Sequence, residues 1–213
     1  WYATAVSNDF KGKLVAFEGP SVQAVPAYAR HPQTIYVYEG TTATGTAYGM
    51  LNEVAKYSGE PAITLKAGQT AIYDLGQNAA GWVSFRVKGN AGTRLLFRFS
   101  EMRNETGDTN RGDDGPGGSL YLINLRSAQA SLFYTLRGDA EGEAFHPTTT
   151  FFGFRFIEVT ASEDVELSDV VGETVTSAMA ERSSMRTSHD VVNQLYSNII
   201  WGQRSNFLSI PTD

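Results

Sequence analysis

The sequence predicts a mostly β protein: an antiparallel β-sandwich, then a linker, then one C-terminal α-helix. Three observations predict it. Apolar residues alternate with polar ones along several short runs in the first four-fifths of the chain. Gly-rich segments punctuate those runs. After about Ser177 the apolar period changes from two to nearly four. Period two with one apolar face is the pattern of half-buried antiparallel strands, and short strands at this spacing suggest two packed sheets.

Residues 1–20 read either as the tail of an upstream domain or as an edge strand, and 21–176 as the sandwich. The stretch from about Pro26 to Pro32 reads as loop. Val83, Phe85 and Val87 alternate with Ser84, Arg86 and Lys88. Leu95, Phe97 and Phe99 alternate with Arg94 and Arg98, and Leu132, Tyr134 and Leu136 with Phe133, Thr135 and Arg137. Phe151 to Val159 is apolar on both faces and is expected to be a central strand, with Arg155 as a paired charge on it. Turns are expected at Leu75-Gly-Gln-Asn78, Lys88-Gly-Asn-Ala-Gly92 and Arg137-Gly-Asp139. Asn104 to Gly118, rich in Gly, Asp and Asn, is expected to be a long, solvated, mobile loop. Residues 177–213 read as linker and helix. Val191, Leu195 and Ile199 fall four apart, as do Val192, Tyr196 and Ile200; Ser188 is the expected N-cap, with Asp190 in the first turn at the positive helix end. Apolar residues on more than one stripe, with Trp201 among them, suggest a helix meant to be covered by other helices.

Composition narrows the function. The chain has 213 residues, net charge -6 and no cysteine. The acidic balance, without any Lys/Arg block, argues against nucleic acid as the main partner. The lack of cysteine removes thiol nucleophiles and Cys-based zinc sites. No run is long and apolar enough for a membrane span. His31, His146 and His189 lie far apart, without metal-ligand spacing, and read as structural. Glu105, Asp108, Asp113 and Asp114 make the 104–118 loop a candidate calcium site, but their order departs from the EF-hand pattern. Gln77 and Asn78, with Asp74, could line a ligand or interface site, or could simply belong to a strand–turn–strand. Trp82 reads either as a sugar-stacking platform or as a packing residue, the second being favoured. Arg204 and Asn206 either shape a pocket from the helix end or satisfy that end's backbone.

Three segments together resemble the bacterial α-L-rhamnosidases, a family of inverting glycoside hydrolases. They are Asp74-Leu-Gly-Gln-Asn-Ala-Ala-Gly-Trp-Val83, then Thr150-Phe-Phe-Gly-Phe-Arg-Phe-Ile-Glu-Val159 with Asn124-Leu-Arg-Ser-Ala128 upstream, and Asn193 through Asp213, ending in Pro-Thr-Asp. The resemblance implies a concanavalin-like or jelly-roll sandwich preceding an (α/α)6 barrel that carries the active site. It implies that residues 177–213 are the linker and first helix of that barrel, which would be this chain's partner in the same polypeptide. It also implies that Asp213 hydrogen-bonds rhamnose hydroxyls. In the family the Pro-Thr-Asp motif continues into a segment that supplies the general acid, and the base lies further on. Inversion needs both carboxyl groups, about 6.5–9.5 Å apart, and the chain is expected to contain neither. It therefore reads as a non-catalytic piece of a longer enzyme that acts on rhamnosides, with no cofactor required. A carbohydrate-binding module, with or without calcium, is the alternative in another class; an interaction domain that pairs through its apolar helix is a third.

Overall fold

The computed structural model describes residues 5, 7, 9 and 11–212. Among them the strands run, in chain order, β1 (Val22–Ala24), β2 (Thr34–Thr42), β3 (Met50–Ser58), β4 (Ile63–Leu65), β5 (Thr70–Lys88), β6 (Arg94–Ser100), β7 (Met102–Arg103), β8 (Leu120–Tyr121), β9 (Ser131–Thr135), β10 (Glu143–Phe145), β11 (Phe152–Ala161) and β12 (Val165–Ser177). The helix α1 (Asp190–Asn206) and a small hairpin, β13 (Phe207–Leu208) and β14 (Ile210–Pro211), follow. All strand pairs are antiparallel.

The 19-residue strand β5 organises the molecule. Its first part pairs with β2 on one side and β11 on the other, extending one layer through β3 and through β6 to β9. Its second part pairs with β10 and β12, and β12 also carries β1 and β4, which makes the facing layer. Both layers send alternate side chains inward, as period two requires. Phe85 of β5 stacks on Phe97 of β6 with ring centroids 4.5 Å apart, and Tyr134 of β9 meets Phe145 of β10 at 4.9 Å. Ile35, Leu65, Val83, Leu95, Phe99, Ile157, Val159 and Leu167 are sealed in the same core.

Several sequence expectations hold. The Val83–Val87 and Leu95–Phe99 alternations put their apolar residues in the core, and β11 is central, between β5 and β6. The turns at Lys88–Gly92 and Arg137–Asp139 fall between strands. Others are corrected. Leu75–Asn78 is no turn between strands; it lies within β5. Between the pairs Asp74↔Phe156 and Ala79↔Phe154, those four residues of β5 face the single residue Arg155 of β11. The segment is a bulge, with Gly76 at φ +72 taking the left-handed conformation that it needs. Pro26–Tyr28 forms a short 3-10 turn, and Arg30 bridges to Gly172 of β12 rather than sitting in free loop. The described part of residues 1–20 contains no strand.

The 104–118 loop is organised, not loosely solvated. Asp113 Oδ2 accepts from the backbone amides of Thr106, Gly107 and Asp108 at 2.8, 2.7 and 3.2 Å. Asp114 Oδ2 accepts from the amides of Leu122 and Ile123 at 2.8 and 2.7 Å. Asn104, 2% exposed, ties the two ends together through Asp114, Ser119 and Leu120. Gly107 packs so tightly against β3's entry that a Cβ would lie 2.1 Å from the Gly49 carbonyl oxygen. Repeated Asp and Asn look like a solvated run in sequence, but Asn104, Asp108, Asp113 and Asp114 here satisfy local backbone amides.

Candidate functional site

The helix and the sheet meet around Trp201, the helix's buried aromatic. The Arg30 guanidinium lies 4.1 Å over its ring and the Arg204 guanidinium 4.7 Å. Tyr28 meets the indole edge-on with centroids 6.1 Å apart, and Arg204 also lies 4.0 Å over Tyr28. Nε of Arg30 and Nε of Arg204 are buried without hydrogen-bond partners. The aromatic faces are the attraction that holds those cations there. Burial and the nearby Arg204 charge push the Arg30 pKa down. Glu181 closes the cluster: it pairs with Arg204 and accepts from the Tyr28 hydroxyl at 2.9 Å, and both hold its carboxyl below the usual range. A cavity of about 270 Å³ lies beside this cluster, between the linker and the helix.

Backbone contacts finish the docking. The Ala80 amide donates to Ser205 Oγ at 3.2 Å, the Thr176 hydroxyl to the Phe207 carbonyl at 3.2 Å, and the Ser209 amide to Ser177 Oγ at 2.8 Å. At the other end of α1 the N-cap is His189, not Ser188, and no side chain caps it directly. Asn193 instead reaches back to Thr187, accepting from its amide at 2.8 Å and donating to its carbonyl at 2.9 Å. Asp190 is in the first turn as expected. The outer face of the helix carries Val191, Leu195 and Ile199, which are 57–71% exposed.

Between the β5 bulge and α1 lies an open cleft of about 590 Å³. Gln77, Asn78, Glu101, Phe151, Trp201 and Thr212 are among its walls. The bulge is what turns Gln77 and Asn78 toward it. Asn78 Nδ2 donates to Glu101 Oε1 at 2.8 Å, while Gln77 Nε2 donates to the Asn78 carbonyl at 2.8 Å. Asp74, beside them in sequence, is engaged elsewhere: it takes both Arg155 donors, Nε at 2.8 Å and a terminal nitrogen at 2.9 Å. Arg155 is thus the paired strand charge that the sequence suggested, and the pair is the fork-on-carboxylate geometry that gives the strongest charge-assisted hydrogen bonds. Its partner raises the Arg155 pKa.

Trp82 does not belong to this cleft. Its indole Nε1 donates to Glu173 Oε2 at 2.6 Å and its ring stacks on His146 at 5.9 Å. His31 pairs with Glu60 at 2.6 Å. Arg204 and Asn206 sit at the docking seam: Arg204 in the Trp201 cluster, Asn206 accepting the Thr212 amide at 2.8 Å. Asp213 lies outside the described residues. Among the described residues no three His, Cys, Asp or Glu side chains gather as a metal site; in the 104–118 loop, backbone amides already engage Oδ2 of both Asp113 and Asp114. No helix of the described residues is long and apolar enough to cross a membrane. Sequence reasoning missed Glu101, Phe151, Tyr28 and Arg30. Glu101 follows a strand in no recognisable motif, and the cluster on Trp201 joins residues about 170 positions apart, which no local pattern reveals.

Comparison with known proteins agrees with this architecture. Residues 64–179 match the family model of the bacterial alpha-L-rhamnosidase concanavalin-like domain. Residues 180–213 match that of the bacterial alpha-L-rhamnosidase 6 hairpin glycosidase domain. An alpha-L-rhamnosidase of Streptomyces avermitilis is 41% identical over 143 residues, 67% of this chain and 13% of that protein. One from Formosa agariphila is 38% identical over 154 residues, 71% of this chain and 15% of that protein. The crystal structure of the Streptomyces avermitilis alpha-L-rhamnosidase complexed with L-rhamnose superposes with a TM-score of 0.65 at 29% identity, over 94% of this chain and 16% of that one. The alpha-L-rhamnosidase from Dictyoglumus thermophilum gives 0.66 at 26% identity, over 95% and 18%. The chain thus spans only 13–18% of the length of these relatives. With the concanavalin-like model covering more than half of it, this chain belongs to the bacterial α-L-rhamnosidase family.

Proposed function

We propose that this chain is a non-catalytic scaffold within an α-L-rhamnosidase that removes terminal α-L-rhamnose from glycans or glycosides with inversion. In this reading residues 21–176 form the supporting sandwich, and residues 177–213 are the linker and first helix of an (α/α)6 catalytic domain in the same polypeptide. The observation that carries the reading is the state of α1. Its inner face is fastened to the sandwich through Trp201, Arg30, Arg204 and Ser205, while Val191, Leu195 and Ile199 face outward. Such a helix suits a part in two layers at once: docked on the sheet and covered by further helices. The match of residues 180–213 to a glycosidase-domain model supports this assignment.

The role of the sandwich is then geometric. A catalytic pocket needs its carboxyl groups held to within about half an ångström, and a rigid support under the first barrel helix contributes to that. Asp213, by its place in the Pro-Thr-Asp motif, is the residue proposed to hydrogen-bond rhamnose hydroxyls. A lone carboxylate cannot serve as both acid and base in inverting hydrolysis. Incubated with p-nitrophenyl α-L-rhamnopyranoside, the chain alone is expected to release nitrophenolate no faster than buffer. Sustained release well above that background, surviving repurification, would overturn the scaffold role.

A further inference from the structure

The cleft beside the β5 bulge shares Trp201 and Ser205 with the docking of the helix, and its remaining walls have a definite chemistry of their own. Glu101 stands on the ridge between it and a second cleft of about 610 Å³. The two Glu101 oxygens are aligned by different amides: Oε1 by Asn78 Nδ2 at 2.8 Å, Oε2 by Asn124 Nδ2 at a longer 3.5 Å. A carboxylate offers about four lone-pair sites, so this one, held in place, still has acceptor capacity for other donors. Both amides are placed by unusual backbone. Asn78 sits in the bulge, and Asn124 precedes Arg126, which adopts φ 56, ψ -108, a conformation that a residue with a Cβ rarely takes. Strain of this kind, costly for its residue, is most often kept where a side chain must be aimed. Phe151, 47% exposed, supplies an aromatic wall to the same cleft.

We propose that this cleft binds a neutral oligosaccharide. Asn78 and Glu101 take adjacent hydroxyls, and Phe151 faces the C–H side of a pyranose ring. Planar amide and carboxylate groups beside an aromatic face match the alternation of hydroxyl edge and apolar face that a sugar presents. Among the described residues lining the cleft there is no Lys or Arg, and Glu101 adds a negative charge, so an acidic sugar is disfavoured. A volume of about 590 Å³ is within the span of small-ligand sites and takes a disaccharide. Which stretch of glycan this is, the part adjoining a terminal rhamnose, rests on the rhamnosidase reading; the sugar chemistry of the cleft does not.

The test is titration of the 213-residue chain with rutinose, a neutral rhamnosyl-glucose, followed by calorimetry and by the fluorescence of Trp201 in the cleft wall. Saturable binding is expected. Glu101→Ala is expected to weaken it about tenfold, the scale of a lost hydrogen bond to a charged group. Gly153→Trp is expected to abolish it, because a Cβ there points toward Glu101, 3.9 Å from Oε1, with nothing nearer. Digalacturonate is expected to bind far more weakly than rutinose. Thermal unfolding checks that each variant is folded; if Gly153→Trp is not, Asn78→Ala takes its place. The proposal falls if rutinose does not saturate, if its affinity is unchanged in the variants, or if digalacturonate binds as tightly. Cellobiose binding as well as rutinose would support the glycan site while removing its link to rhamnosides, so the two readings fail separately.

Discussion

Glu143 is buried at the start of β10, yet it is held ionised. Burial by itself would raise its pKa, but the Tyr134 hydroxyl at 2.7 Å and the Gly138 and Asp139 amides at 2.8 and 3.4 Å outweigh it and bring it from 4.5 down to about 2. In the unfolded chain the same carboxyl protonates at its ordinary value. Its contribution to stability is therefore complete above about pH 4.5, declines as pH falls below that, and is gone below about 2. Urea midpoints measured across this range are expected to fall toward acid, and to fall less steeply in Glu143→Gln, which starts from a lower plateau. An equal slope in both proteins would show that other groups carry the acid sensitivity. That Arg155 is a paired charge was legible at this scale, because an Arg between aromatic residues on a central strand must find a counter-charge; that Asp74 is its partner was not. Glu143 was not legible: nothing in Arg137-Gly-Asp139 announces that its amides converge on a carboxylate several residues on.

At the scale of elements, the alternating runs foretold most strands because one-sided burial leaves its period in the residue types. The period failed at Leu75–Asn78, where glycine and amides that usually mark a turn mark a bulge instead. Turn chemistry and bulge chemistry ask for the same residues, since both need positive φ and local amide partners. The helix was legible, but its fastening was not, because Tyr28 and Arg30 lie far away in sequence. Trp201→Ala is expected to release α1 from the sheet, removing about 3–5 kcal/mol of local stability. Hydrogen exchange would show it as fast exchange at Ile200 through Asn206 while β5 and β11 stay protected. Uniform loss of protection would mean that the helix is not a separable layer. Within β5, Gly81 faces the Glu173 carbonyl oxygen, which a Cβ would meet at 1.9 Å. Gly81→Ala is expected to cost about 1–3 kcal/mol, as overpacking does, read from urea unfolding; a neutral result would mean that β12 can move aside.

For the whole molecule, the class, the sandwich and the trailing helix were predictable from pattern alone, because they follow from composition and period. The candidate site was half legible. Gln77 and Asn78 were singled out, Trp82 lies on His146 as the packing residue that the sequence favoured, and Glu101 and Phe151 were absent. A cleft is made by the approach of distant segments, and only the fold brings β5, β6, β11 and α1 to one place.

Because β5 is a member of both leaves, neither leaf has an independent existence. A splice that imports one leaf from a cousin protein must cut through the strand that the other leaf also relies on, and one residue gained or lost between Thr70 and Lys88 would turn inside out half of its side chains. Exchange of parts is confined to the ends and to the connecting loops. Lineages of this protein should accordingly vary in what they append and in their surface excursions, while this one ribbon is passed on at fixed length.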